Sequence, residues 1–200
     1  MAEYKDVDRF ARCLAVISLV VGGGSLYFAY HTNQRADRAV KVAEAADKLN
    51  SEGYDYLVKL SGAPYILEDA SSIESYVAKI LPLFHDPLLF DHGAPSAGLG
   101  HDGVAERYRK FLQPLKILVR TYREVRVTEE SSNEYHITAV VTIDRTFLAG
   151  NQPGDCGSKT RFIQESEVDL TVIGSSPADW LVTRSGDTTR PGTSECRNPA

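Results

Sequence analysis

The sequence predicts an α+β protein: an amino-terminal transmembrane and juxtamembrane helix, then a domain of helices laid on an antiparallel sheet. Three observations carry that class. The run from Cys13 to Tyr30 holds 18 residues without a formal charge. After Pro114 the hydrophobic period changes from about 3.6 to 2, the mark of strands. The alternating segments are joined by turn-forming connections, which implies antiparallel pairing.

The first element follows from length. At about 1.5 Å per residue the charge-free run makes roughly 27 Å of helix, close to a hydrocarbon core of roughly 30 Å. Tyr27 and Tyr30 at its end suit the aromatic belt of a water interface. A cleavable signal is the rival, since Lys5, Arg9 and Arg12 precede the run, but Tyr27 two before Ala29 breaks the small-x-small cleavage pattern. The expected plan is a tail over 1–12, a membrane helix over 13–30, a helical stalk over 31–62, a globular domain over 65–187 and a flexible tail over 188–200. Basic residues are balanced across the span, with Arg35, Arg38, Lys41 and Lys48 beyond it, so charge does not orient it. Cys156 and Cys196 could close a disulfide if the domain faces an oxidising compartment; two free thiols are the alternative. The expected location is therefore a single-pass membrane protein with its carboxy-terminal domain extracytoplasmic.

Small residues continue in alternating steps of four and three through Ala11, Ala15, Ser18, Gly22, Ser25, Ala29, Thr32, Ala36, Ala39, Ala43 and Ala46. That spacing keeps one stripe toward a partner helix, and small side chains let backbones approach in lipid. One long helix from about Phe10 to Asn50, packed on its own copy or on a partner membrane helix, is expected. The alternative is alanine used simply as a helix former.

Composition narrows the functions. The 200 residues carry 24% charged and 42% hydrophobic side chains with a net charge of -5. A chain without a basic excess is not expected to bind nucleic acid. The partners expected are the lipid bilayer and a second helix.

Within the domain, Asn50-Ser51-Glu52-Gly53 reads as a helix stop and Ser61-Gly62-Ala63-Pro64 as a second break. Ser71-Ser72-Ile73-Glu74 resembles an N-cap before a helix with Ile73, Val77, Ile80 and Leu81 on one face, ended by Pro82. A second helix runs from Val104 to about Gln113. The strands follow as Ile117, Val119, Thr121, Val125 and Val127; Tyr135, Ile137, Ala139, Val141 and Ile143; Phe162, Val168, Leu170 and Val172; and Trp180 with Val182.

Leu83-Phe84-His85-Asp86-Pro87, a loop, Gly103 to Phe111, strands and Ala178-Asp179-Trp180-Leu181-Val182 together resemble the nuclear transport factor 2-like superfamily over roughly residues 65–187. The resemblance implies a cone of helices and a curved antiparallel sheet. It also implies kinship with polyketide-cyclase-type and ketosteroid-isomerase-type enzymes and with non-enzymatic binders. With a membrane anchor, the chain is also similar to periplasmic assembly components of type IV secretion systems. The leading expectation is therefore a membrane-anchored interaction or assembly module. The alternative is a small-molecule-binding protein, or an isomerase- or cyclase-type enzyme, using the cone's cavity.

Candidate pocket residues are His85, Asp86, Asp91, His92 and His101, three His/Asp pairs counting Asp102, around the loop that would cap the cone. Imidazole and carboxylate side chains can trade protons or bind a divalent ion. Turn and cap chemistry explains most of the acidic partners more simply. Arg107, Arg109, Lys110, Lys116, Arg120, Arg123 and Arg126 read as a solvated face. Arg123 alone falls on the apolar parity, so either a bulge resets the strand or its charge points inward. No acid/base pair falls on facing strands and no residue is assigned as catalytic. Glycine motifs for phosphate and a nucleophile elbow are absent, and no cofactor or metal is expected.

Overall fold

The computed structural model describes residues 32, 35–61, 65, 66, 70–90 and 98–198. The chain divides into two compact units, Met1–Asp47 and Lys48–Ala200. In the first, residues 35–47 are helical and exposed, Ala36, Ala39 and Ala43 among them. The expected membrane helix over 13–30 lies outside the described residues, as do Ala15, Ser18, Gly22, Ser25 and Ala29. Among the described residues, no helix is long and apolar enough to cross a membrane.

The second unit opens with helical residues 48–61, here α1. Then come β1 (Tyr65–Ile66), α2 (Ala70–Ile80), a 3-10 turn (Leu81–Leu83), β2 (Phe84–Phe90), α3 (His101–Leu112), β3 (Leu115–Ser131), β4 (Glu134–Phe147), β5 (Arg161–Ile173), β6 (Leu181–Thr189) and β7 (Glu195–Arg197). The strands form one sheet in the order β1-β3-β4-β5-β6-β2, with β7 pairing β5. All pairings are antiparallel except β2 on β6. Its curled inner face is covered by the helices, a cone-shaped α+β fold.

Three expectations need correction. The domain begins at Lys48 and not near residue 65, because the second half of the expected stalk is core: Tyr56, Leu57 and Leu60 are buried. Asn50-Ser51-Glu52-Gly53 does not stop the helix. Asn50 Oδ1 accepts the Val127 backbone N–H (2.8 Å), and a Cβ on Gly53 would stand 2.3 Å from Val127 Cγ2. These residues serve the close approach of helix to strand. The tail is not free either, since β6 runs to Thr189, β7 pairs β5, and a disulfide joins Cys196 to Cys156 across a sequence separation of 40.

Phe84 to Phe90, expected only as a motif after a helix, is strand β2 running parallel to β6. Tyr56 ties the helical layer to this edge. Its hydroxyl lies 3.3 Å from the Leu83 carbonyl and 3.1 Å from the Trp180 carbonyl, and burial pushes its pKa well above the ordinary phenol value. The Tyr56 ring meets Trp180 edge-on at 5.5 Å, and Trp180 leans on Tyr135 at 5.0 Å. Aromatic contacts of this kind add about 0.5–1.5 kcal/mol beyond burial. At the β5–β6 turn a Cβ on Gly174 (φ 152°) would lie 2.8 Å from the Asp179 carbonyl oxygen. Asp179 in turn accepts the Ser175 and Ser176 hydroxyls and backbone N–H groups, which hold its carboxyl well below the usual range.

The parity of β3 differs from the sequence reading. Leu118 and Tyr122 are buried at 1% and 9% exposure, while Thr121 is exposed. Pairing with β4 shifts between Arg123 and Arg126, and Glu124 there has φ 55°. This bulge moves the inward parity from Leu118, Arg120 and Tyr122 to Val125 and Val127, as one extra residue must. The odd-numbered series read from sequence was right beyond the bulge and reversed before it.

Gly53→Ala tests the helix–strand approach. Helix propensity alone would favour alanine by about 1 kcal/mol, whereas overpacking against Val127 costs about 1–3 kcal/mol. Urea unfolding should therefore show a net loss of up to about 2 kcal/mol; a gain would contradict the packing described.

Candidate functional site

Inside the cone lies a cavity of about 190 Å³. Its walls come from every layer of the fold. α1 supplies Leu57 and Leu60, and α3 supplies Arg107, Tyr108 and Phe111. The sheet supplies Arg120 and Tyr122 from β3, Val141, Ile143 and Arg145 from β4, Val168 and Leu170 from β5, and Ser185, Gly186 and Asp187 from β6. Period-2 alternation puts Val141, Ile143 and Arg145 on one face of β4, so the apolar stripe ends in a guanidinium.

Arg120 and Arg145 are diagonal neighbours, since Arg120 pairs with Ile143 and Leu118 with Arg145. The Arg145 guanidinium lies 5.3 Å from the Phe111 ring centroid and 5.9 Å from that of Phe162; Arg120 lies 5.9 Å from Phe111. Arg120 also donates from Nη1 to the Tyr76 hydroxyl (3.2 Å), and Tyr76 donates to the Ser61 carbonyl (3.1 Å). Arg145 Nε is buried and has no hydrogen-bond partner among the described residues.

Electrostatics follow from this crowding. Burial, and next the Arg120 charge, lower the Arg145 pKa, and Asp187 works the other way. For Arg120, burial opposes the charge, but the oxygens of Tyr76, Tyr122 and Tyr108 outweigh it and raise the pKa. Burial raises the pKa values of Tyr108 and Tyr122. The lining therefore presents phenols that burial keeps protonated at neutral pH, together with three guanidinium side chains, one carboxyl side chain, Asp187, and no imidazole.

The sequence candidates lie elsewhere. His85 is half-buried on β2 with Nδ1 3.3 Å from the Pro87 carbonyl oxygen, and Asp86 is exposed before the cis Asp86–Pro87 peptide. His101 opens α3, and its Nε2 donates to the Phe84 carbonyl (2.9 Å), fastening the helix start to β2. Asp91 and His92 are outside the described residues. Arg123 sits at the bulge, exposed, pairing with Glu165 (2.9 Å) and Glu124. None of the four described candidates lines the cavity. The described residues hold no cluster of three or more metal-ligating side chains.

Arg120 and Arg145 were the residues missed. Arg145 carried a readable signal, because it extends the unbroken series Tyr135, Ile137, Ala139, Val141, Ile143 on the same parity. Arg120 carried none, because its expected solvated position depended on extrapolating parity back through the bulge. A wider depression of about 650 Å³ lies mainly over residues that alternate with the inward ones. Two pairs of its charged side chains are engaged with one another, His136–Asp169 (2.6 Å) and Arg190–Glu167 (3.0 Å).

Comparison with known proteins agrees with this geometry at the level of fold. No protein-family profile matches the sequence, and no curated protein matches it. Solved structures do match. A Novosphingobium aromaticivorans protein provisionally described as a scytalone dehydratase shares 14% identity over 80% of this chain and 90% of its own, with a TM-score of 0.52. The Kfla4162 protein of Kribbella flavida shares 15% identity over 76% of this chain and 95% of its own, with a TM-score of 0.51. A type 2 hexachlorocyclohexane dehydrochlorinase, LinA, shares 9% identity over 82% and 95%, with a TM-score of 0.50. The domain shares with these structures the fold described above, a curled antiparallel sheet with helices over its inner face.

Replacing a buried, incompletely paired charge by an apolar side chain of similar length is often neutral or stabilising. Arg145→Met should accordingly unfold in urea at the parent's midpoint or above it, a change of about 0–2 kcal/mol. A loss above about 2 kcal/mol would make Arg145 a structural residue.

Proposed function

We propose that the domain from Lys48 onward binds a small organic molecule inside its cone. The observation that carries this reading is the cavity itself: an apolar chamber into which guanidiniums, phenols and one carboxylate converge, the usual character of a ligand site. A domain serving only as an assembly scaffold has no need of such a chamber. The interaction or assembly module, similar to secretion-system components, is accordingly the second reading.

Binding is favoured over isomerase or cyclase chemistry. Those reactions need a positioned acid and base, and the lining offers Asp187 with phenols that burial keeps protonated. The Cys156–Cys196 disulfide supports an oxidising compartment. With 13–30 as a membrane anchor, the reading is of a tethered binding domain outside the cytoplasm. The small-residue stripe through Ala36, Ala39 and Ala43 then belongs to helix association.

An engineered cavity of about 150 Å³ takes up benzene, so a chamber of about 190 Å³ suits a molecule of one ring. The neutral probe p-cresol should bind the full-length protein saturably by ligand-observed NMR, and Leu170→Phe, which fills the chamber, should weaken it at least tenfold. Absence of saturable binding to parent protein that is folded by circular dichroism would overturn the reading.

A further inference from the structure

We propose that the cavity selects a small organic carboxylate, its anionic group bridging Arg120 and Arg145 and its ring-sized apolar body resting among Phe111, Ile143 and Leu170. The inference rests on the cavity-binding reading and specifies its ligand class.

The first argument is charge. Two half-buried guanidiniums, Arg120 and Arg145, line the chamber together with the exposed Arg107 and one carboxyl side chain, Asp187. Taking a charge out of water is expensive unless it is paired and hydrogen-bonded. Arg120 and Arg145 stand on adjacent strands, both within 6 Å of the same Phe111 ring, and the Arg120 charge disfavours that of Arg145. An anion placed between them relieves that repulsion and supplies hydrogen-bond acceptors to two lining guanidiniums whose described neighbours include ring faces, which offer none.

The second argument is shape. A guanidinium is a planar fork that matches a carboxylate in two parallel hydrogen bonds. Phe111, Ile143 and Leu170 present ring and branched aliphatic surface to whatever the anionic group carries. The volume of about 190 Å³ limits that body to about one ring, by comparison with the benzene-binding cavity of about 150 Å³. Charge and size together indicate a monocarboxylate of the benzoate or phenylacetate kind.

Fluorine NMR on the full-length chain, with 4-fluorobenzoate and 4-fluorobenzamide as matched probes, separates the possibilities. The carboxylate should bind at least tenfold more tightly than the amide. Arg145→Met and Arg120→Met should each lose at least tenfold in carboxylate affinity while holding amide affinity within threefold, which also reports an intact chamber. Arg145→Lys, keeping the charge without the fork, should fall between parent and Arg145→Met. Equal affinity for the two probes, or carboxylate affinity unchanged in both methionine variants, overturns the inference and leaves p-cresol binding intact. Tighter binding of phenyl phosphate than of benzoate overturns the carboxylate assignment. Failure of p-cresol and both fluorinated probes defeats the cavity reading as well.

Discussion

The extra residue in β3 between Arg123 and Arg126 decides what the cone contains. Before it, Leu118, Arg120 and Tyr122 face inward; beyond it, Val125 and Val127 do. Without the shift, one half of the strand would turn its apolar side chains to water, since a one-residue slip exchanges the two faces of a sheet. The apolar half beyond the bulge receives α1 through Asn50 and Gly53. The half before it carries a cation into the chamber. Helix docking and cavity chemistry thus depend on the same irregularity, and Arg123 at its edge is held outside by Glu165.

The chamber holds charge because the surrounding contacts fix its walls. Phe111 on α3 offers one ring to two guanidiniums. Tyr76 on α2 reaches Arg120 and is itself anchored to the Ser61 carbonyl. A chain from α1 through α2 to β3 therefore restrains Arg120 with hydrogen bonds, whereas Arg145 is placed by stacking on Phe111 and Phe162. A guanidinium held by ring faces is not saturated by those contacts and keeps hydrogen-bonding capacity for an incoming acceptor.

Most of the architecture was legible in the sequence because it follows from local periodicity. The helices of α2 and α3 and the strands β4, β5 and β6 each carry their own apolar pattern, and Pro82 and Pro114 mark the breaks. The misreadings come from long-range causes. Asn50 and Gly53 look like a helix stop in isolation and become a docking surface only when β3 is present. Phe84 to Phe90 becomes a strand through its pairing with β6, and Glu195 to Arg197 through β5 and the disulfide. The His/Asp pairs drew attention by chemistry, yet His101 spends its imidazole on the Phe84 carbonyl. Arg145 was the visible clue, an arginine where the alternation calls for a hydrophobe.

The central claim is that Arg120 and Arg145 point into an open chamber and face a common anion. A crystal structure of the protein grown with 4-bromobenzoate tests it most directly, because bromine scatters anomalously and locates the ring without bias. The account predicts a bromine peak within the cone, with the carboxylate between the two guanidiniums. A cone filled by its own side chains, or bromine only at the outer surface with Arg145 turned toward solvent, would contradict it.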